Sequence, residues 1–325
     1  MSGSITSVVA KKPSTSLVRR RIDVSFTLAS GGFGSAGGDT LTLPAGLRVF
    51  VDIESAGLAS SAMASLRIEG MTLAQMNRLS VWTMQFNVQT NNTVTISAGD
   101  DSNGMSVIFI GGITEAFIDF SGAPNTAFVA TAMASAVPSV MGSTPTSFKG
   151  SVPAATILRT IATKAGLAFQ NNGVNVVLTN PYFWGSPAQQ AEQAAQEIGC
   201  EYIMEMAALK VWPRSQASTD PDTVIPLVSA ATGLIGYPSY AQGGVAFRTL
   251  FNPAIYYWGL VQLDSQYQPY GTENGLRNTS VNLPASRQWR VSRVSHTLQS
   301  ETPDGAWFTE IEGQSLNVNL VRTTG

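Results

Sequence analysis

Charge is what this chain has least of. Only 12% of its 325 residues are Asp, Glu, Lys or Arg, about half the usual share. Disorder driven by charge is thereby excluded, and so is a highly charged, freely diffusing enzyme. Cysteine is also scarce. The single Cys200 can close no intramolecular disulfide and rules out a cysteine-rich zinc site. A single His296 excludes multi-histidine metal centres. No run of 18 apolar residues occurs, so no helix long enough to span a bilayer is expected. The first 21 residues lack an apolar core of useful length, and no secretion signal is expected there.

The outside is covered instead by Gly, Ser, Thr, Asn and Gln. With 44% hydrophobic residues, that mixture suits turn-rich β structure and large protein–protein contacts. Net charge is −2, unevenly spread. Lys11, Lys12, Arg19, Arg20 and Arg21 stand in a segment without acids, which leaves 14 basic against 21 acidic side chains in the rest. A mildly acidic body is a poor nucleic-acid binder, because phosphate contacts need a basic face.

Periodicity divides the chain into four parts. Residues 1–21 read as an N-terminal arm. Residues 22–142 read as β, with short segments rich in β-branched and aromatic residues at Ile22–Leu28, Leu47–Ile53, Thr93–Ser97, Ser106–Ile110, Ala116–Phe120 and Ala127–Ala132. Turn clusters separate them, and such spacing suggests a sandwich or barrel. One short helix is expected behind Thr72.

Residues 143–216 change character after a Pro/Gly/Ser/Thr linker at 138–150. One helix is expected from Ser151, with Pro153 in its first turn, to Gly166. A second is expected from the N-cap Ser186, with Pro187 at N1, to Gly199. Ala188, Ala191, Ala195 and Ile198 form its apolar stripe; Gln189, Gln190, Glu192, Gln193, Gln196 and Glu197 form the other face. Strands are expected at Val174–Leu178, Glu201–Met206 and Leu209–Trp212, giving a small α/β domain. A second linker, Ser215–Asp222, leads into residues 217–325. These return to β at Val224–Val228, Val245–Phe251, Ala254–Leu263, Trp289–Gln299, Trp307–Gln314 and Leu316–Val321.

Chemical motifs are few. Gly32–Gly37 matches GxGxxG, but strand and turn residues follow where a dinucleotide site needs a helix, so a β loop is favoured. Asp100–Gly104 lacks the further ligands of a calcium loop and reads as a Gly-closed turn. His296 has no nucleophile elbow to serve. Cys200 reads as a small buried apolar group. Glu201 and Glu205 share one face of a strand, and Asp220 and Asp222 lie in a linker; neither pair has the setting of a glycan hydrolase. Two aromatic triplets stand out, Tyr182-Phe183-Trp184 and Tyr256-Tyr257-Trp258. Neither is interleaved with the Arg or Lys of a base-stacking surface. Each reads as core or as a partner-binding anchor, and Tyr182, Phe183 and Trp184 are the candidate partner interface. No catalytic residue, cofactor or metal is expected.

Short phrases in order along the chain add a resemblance. Ala64–Met71, Met76–Ser80, Ser97–Asp100 and Ile110–Ile113 resemble the first barrel of phage baseplate hub proteins. Gly233–Pro238, Leu250–Pro253, and His296–Leu298 ahead of Trp307 are similar to that family's second barrel. The paired helices with Leu209–Pro213 are similar to its intermediate domain. The family is the central tail hub of contractile-tailed bacteriophages, late-control protein D-like and related to the spike proteins of contractile injection systems. The resemblance covers about residues 20–320. It implies a mainly β chain with an α+β segment: two tail-tube-like β-barrel domains and a small α/β domain, the latter inserted in the first barrel in some members. It implies a structural, non-enzymatic homotrimer that joins the sixfold tail tube to the threefold central spike. Tube, spike, tape-measure and other baseplate proteins are then its partners, with DNA only in passage through the lumen and no integral membrane contact. The virion baseplate is its place, after assembly in the host cytoplasm. Two other readings stay open: a carbohydrate-binding or adhesive tail-tip β protein, and a polysaccharide hydrolase.

Overall fold

The computed structural model describes residues 8–9, 18–33, 38–56, 61–80, 92–214, 225–241, 244–266 and 286–315. The chain is mainly β with an α+β segment and divides into two compact units. One holds residues 14–216 and 295–307; the other holds 1–13, 217–294 and 308–325. A two-residue strand, β1 (Val8–Val9), belongs to the latter.

The first unit begins with β2 (Arg20–Thr27), β3 (Thr40–Thr42), β4 (Arg48–Ala56), β5 (Met63–Glu69), helix α1 (Leu73–Leu79), β6 (Thr93–Asp100), β7 (Gly104–Asp119) and β8 (Ala127–Met133). These strands form one antiparallel sheet in the order β4-β5-β8-β7-β6-β2-β3. Its inner face follows from strict alternation. Ile22, Val24 and Phe26 of β2 point inward with Val49, Val51 and Ile53 of β4 and Leu66 and Ile68 of β5. Phe26 meets Phe128 of β8 edge to face, with ring centroids 5.7 Å apart. Thr72 and Gln75 close a reciprocal capping box at α1, whose Met76 and Leu79 are buried.

Where the sequence suggests two strands, at Ser106–Ile110 and Ala116–Phe120, the chain runs through as the single β7. Gly111 and Gly112 do not turn it. They lie flush against the Met133 carbonyl and Ala136, where a side chain would collide, and a bulge between Ile113 and Glu115 absorbs the irregularity. Gly99 is as constrained. A Cβ there would sit 2.0 Å from the Gly104 carbonyl oxygen. Gly99→Ala must therefore splay the β6–β7 hairpin. A loss of about 2 kcal/mol of unfolding free energy is expected, as in overpacked cores, readable as a lower urea midpoint with unchanged slope.

The α+β segment continues this unit with α2 (Ala136–Val140), β9 (Thr146–Ser147), β10 (Ser151–Pro153), α3 (Ala154–Lys164), β11 (Ala168–Asn171), β12 (Val177–Thr179), β13 (Tyr182–Phe183), α4 (Pro187–Ile198), β14 (Cys200–Glu205) and β15 (Ala208–Pro213). The sheet β11-β15-β14 is parallel at its first pairing and antiparallel at its second. Ile157, Leu158 and Ile161 of α3 pack with Ala191, Ala194 and Ala195 of α4 over Leu209 and Val211. The α4 caps are as expected: Ser186 forms a capping box with Gln189, Pro187 opens the helix, and Gly199 ends it at φ 74. The start of α3 is not as expected. Ser151–Pro153 is a strand paired with β12, and Pro153 is the N-cap, so the helix begins at Ala154. The ladder to Val177–Thr179 engages this backbone before the helix can. The strand expected at Val174–Leu178 is correspondingly short and pairs with β10 rather than with the main sheet.

The second unit contains β16 (Ile225–Val228), a 3₁₀ turn (Ala230–Thr232), β17 (Leu234–Ala241), β18 (Gly244–Leu250), β19 (Leu260–Asp264), β20 (Ser286–Gln299) up to Val294, and β21 (Trp307–Ser315) from Phe308. Its order is β1-β16-β19-β20-β21-β18-β17. The expected strand Ala254–Leu263 is shorter, because Trp258 adopts φ 63 and its amide donates to the Val291 carbonyl at 2.8 Å. From Ser295 to Trp307 the chain belongs to the first unit. There the Ser295 hydroxyl donates to Asp52 at 3.1 Å and the Ser300 amide donates to the Val49 carbonyl at 2.9 Å. The linker Ser215–Asp222, with Asp220 and Asp222, and the strand Leu316–Val321 lie outside the described residues, as do residues 34–37 of the glycine motif and most of the N-terminal arm.

Candidate partner-binding surface

Strand alternation splits the triplet 182–184. Phe183 is 2% exposed and sits in the α/β core, whereas Tyr182 is 60% and Trp184 62% exposed. Tyr182 and Phe183 pair antiparallel with Ser147 and Thr146. Gly185 follows at φ 94, a conformation that favours glycine, and its Cα approaches Gln189 so closely that a Cβ would lie 2.3 Å from the amide oxygen. The backbone beyond is pinned from α4. The Gln193 side-chain amide donates to the Trp184 carbonyl at 3.1 Å, and that of Gln190 donates to the Gly185 carbonyl at 2.9 Å. Two solvent-facing aromatic rings thus stand on a tightly held backbone.

Gln190 corrects the helical reading. Its place on the polar face of α4 predicts exposure, yet it is fully buried. Burial is tolerated because its oxygen accepts from the Thr146 hydroxyl at 2.6 Å and its nitrogen donates to Thr144 and Gly185 carbonyls. Sequence reasoning missed this cluster because its partners lie in a segment whose Ser/Thr/Pro composition reads as linker. The second triplet is mostly core: Tyr257 is 2% exposed and Trp258 9%, with ring centroids 5.6 Å apart. In the second unit, exposed Ile235 and Tyr237 line a shallow groove with Arg248, Arg293, Glu310 and Glu312. The Arg248–Glu310 and Arg293–Glu312 pairs cross it.

The other singled-out residues are absorbed by structure. Asp100 accepts from the Ser102 and Asn103 amides at 2.8 and 2.7 Å, the bonding of a turn. The arginine run is engaged locally: Arg19 pairs with Glu301, Arg20 lies over Trp307 at 5.7 Å, and Arg21 pairs with Asp23 at 3.4 Å. Glu201 pairs with Arg214 at 3.1 Å, and buried Glu205 with Lys210 at 2.7 Å. The strand thus gives each of these two carboxylates its own cation. Burial pushes the Cys200 thiol up to about 11, with Glu201 adding to the effect, and pulls His296 down to about 4. Hydrogen bonds from Ser121 and then from Arg67, 2.7 Å away, hold the Asp119 carboxyl well below the usual range. Among the described residues, no three His, Cys, Asp or Glu side chains gather to hold a metal, and no helix is long and apolar enough to cross a membrane.

Comparisons with known proteins place this geometry. The fold is similar to a tail protein of Neisseria meningitidis MC58, at TM-score 0.54 and 9% identity, covering 90% of this chain and 96% of that one. It is similar to the 43 kDa tail protein of prophage MuSo2 from Shewanella oneidensis, at TM-score 0.52 and 7% identity, covering 90% and 97%. A chain of the Francisella PdpA-VgrG complex matches at TM-score 0.52 and 8% identity, over 94% of this chain but 59% of its own length. No curated protein matches by sequence. A family model described as "Baseplate hub gp41" matches residues 21–274, most of the described chain. This chain therefore belongs to the baseplate hub gp41 family and is a structural component of a phage tail baseplate.

Proposed function

We propose that three copies of the chain form a hub that joins the sixfold tail tube to the threefold central spike, without catalysing a reaction. The observation that carries this reading is the presence of two compact, β-rich units in one chain of the hub family. Three copies then present six such units, which reconciles the two symmetries. In this reading residues 22–142 and 217–325 are two barrel-type domains and residues 143–216 a small α/β domain, with residues 295–307 grouped with the first unit. Few charges need desolvation when uncharged Ser, Thr and Asn surfaces meet. Tube, spike, tape-measure and other baseplate proteins are the partners, DNA passes through the lumen, and assembly takes place in the host cytoplasm. Tyr182 and Trp184 are the anchor of one such contact, since rigid aromatics dominate interface energetics.

Light scattering coupled to gel filtration, on the full chain alone and mixed with tube and spike proteins, tests this. A species of three times the chain mass is expected, either alone or with the spike. A monomer under every condition overturns it.

A further inference from the structure

We propose that Lys164 is the latch of a strap: it holds residues 144–146 closed against α3 and α4, and the closed strap fixes the backbone that presents Tyr182 and Trp184. The presentation half rests on the partner-contact reading of that aromatic strand; the latch itself does not.

The geometry is specific. The Lys164 ammonium group has three donors and three acceptors on the strap: the Thr144 carbonyl at 2.8 Å, the Pro145 carbonyl at 3.1 Å and the Thr146 hydroxyl at 2.7 Å. All three acceptors are neutral. The Thr146 hydroxyl passes the connection on, donating to Gln190 of α4. Gln190 then donates both to Thr144 and to Gly185. One lysine thus couples the end of α3 through the strap to the turn behind Trp184.

Hydrogen bonding, not apolar burial, closes this segment. Thr144, Pro145 and Ser147 are exposed, and Thr146 alone between Ser143 and Ser147 is buried. Bonds to an ionised donor are roughly twice as strong as neutral ones, so the ammonium group carries much of the closure. Beyond the strap, the Phe148 amide donates to the Pro181 carbonyl at 3.2 Å and the Gly150 amide to the Asn180 side chain at 2.7 Å. Opening residues 144–146 frees the strand that pairs with Tyr182 and Phe183 while leaving the α3–α4 core intact.

Hydrogen–deuterium exchange on the full chain and on two variants, Lys164→Met and Thr146→Val, tests the latch. In both, peptides covering 143–150 and 181–186 are expected to exchange about ten-fold faster, with 154–164 and 187–198 as protected as in the parent. Lys164→Arg should restore part of the protection. Unchanged exchange at 143–150 in either variant overturns the latch. So does an equal rise across α3 and α4, which would make the cluster part of the core. Capture of baseplate proteins by Tyr182→Ala/Trp184→Ala is scored separately. Unaffected capture overturns the aromatic contact and leaves the latch standing.

Discussion

Glu205→Ala is expected to cost about 3 kcal/mol of unfolding free energy, the lower end of the range found when one member of a buried ion pair is removed, because the lysine is only part-buried. The Glu205 side chain is 5% exposed and that of Lys210 15%. Truncation leaves the ammonium group without the carboxylate that sits 2.7 Å away. It also takes the acceptor from the Ser55 hydroxyl, 3.4 Å from the second oxygen. The position is a junction as well as a pair. Ser55 lies next to the end of β4, and next to Glu205 the Met204 carbonyl accepts from the Ala62 amide at 3.1 Å. The α+β segment is thus attached to the large sheet of its unit beside this charge. The double variant Glu205→Ala/Lys210→Met should recover part of the loss, because the ammonium group that faced the carboxylate is removed with it. Urea unfolding of Glu205→Ala, Lys210→Met and the double variant gives the coupling directly; an additive cycle would show that the pair is energetically idle.

Acid should weaken the protein through its one histidine. His296 lies within the first unit and is buried, and burial lowers its pKa from 6.5 to about 4. The unfolded state therefore binds a proton that the folded state refuses between those values. Stability is complete above pH 6.5 and falls as pH drops toward 4, by about 3 kcal/mol from this group alone. Below that the loss is constant. His296→Leu should flatten the slope of stability between pH 6.5 and 5, a window in which His is the side chain that ordinarily titrates. An unchanged slope in that variant would assign the acid sensitivity elsewhere.

The aromatic strand shows how far a local pattern reaches. Tyr182-Phe183-Trp184 is conspicuous in any reading, but two rings outside and one inside follows only once 182–183 is a strand whose partner is Thr146–Ser147. That partner lies in a stretch with every mark of a linker. Its order comes from a lysine 18 residues on and a glutamine 44 residues on. No periodicity within the segment encodes either contact.

What the amino-acid order determined by itself is local. The alternation of β2, β4 and β5, the capping box at Ser186, the glycine end of α4 and the mainly β class all depend on neighbours within a few residues, and short-range sterics and hydrogen bonding decide them. Tertiary structure decided the rest. It set β10 in place of a first helical turn, carried β7 straight through two glycines, buried Gln190, gave Glu201 and Glu205 separate cations, and returned residues 295–307 to the first unit. Apart from the two carboxylate pairs, which join neighbouring strands β14 and β15, these turn on groups brought from farther along the chain, whose hydrogen bond or bulk outweighs a local preference worth about 1 kcal/mol or less per residue.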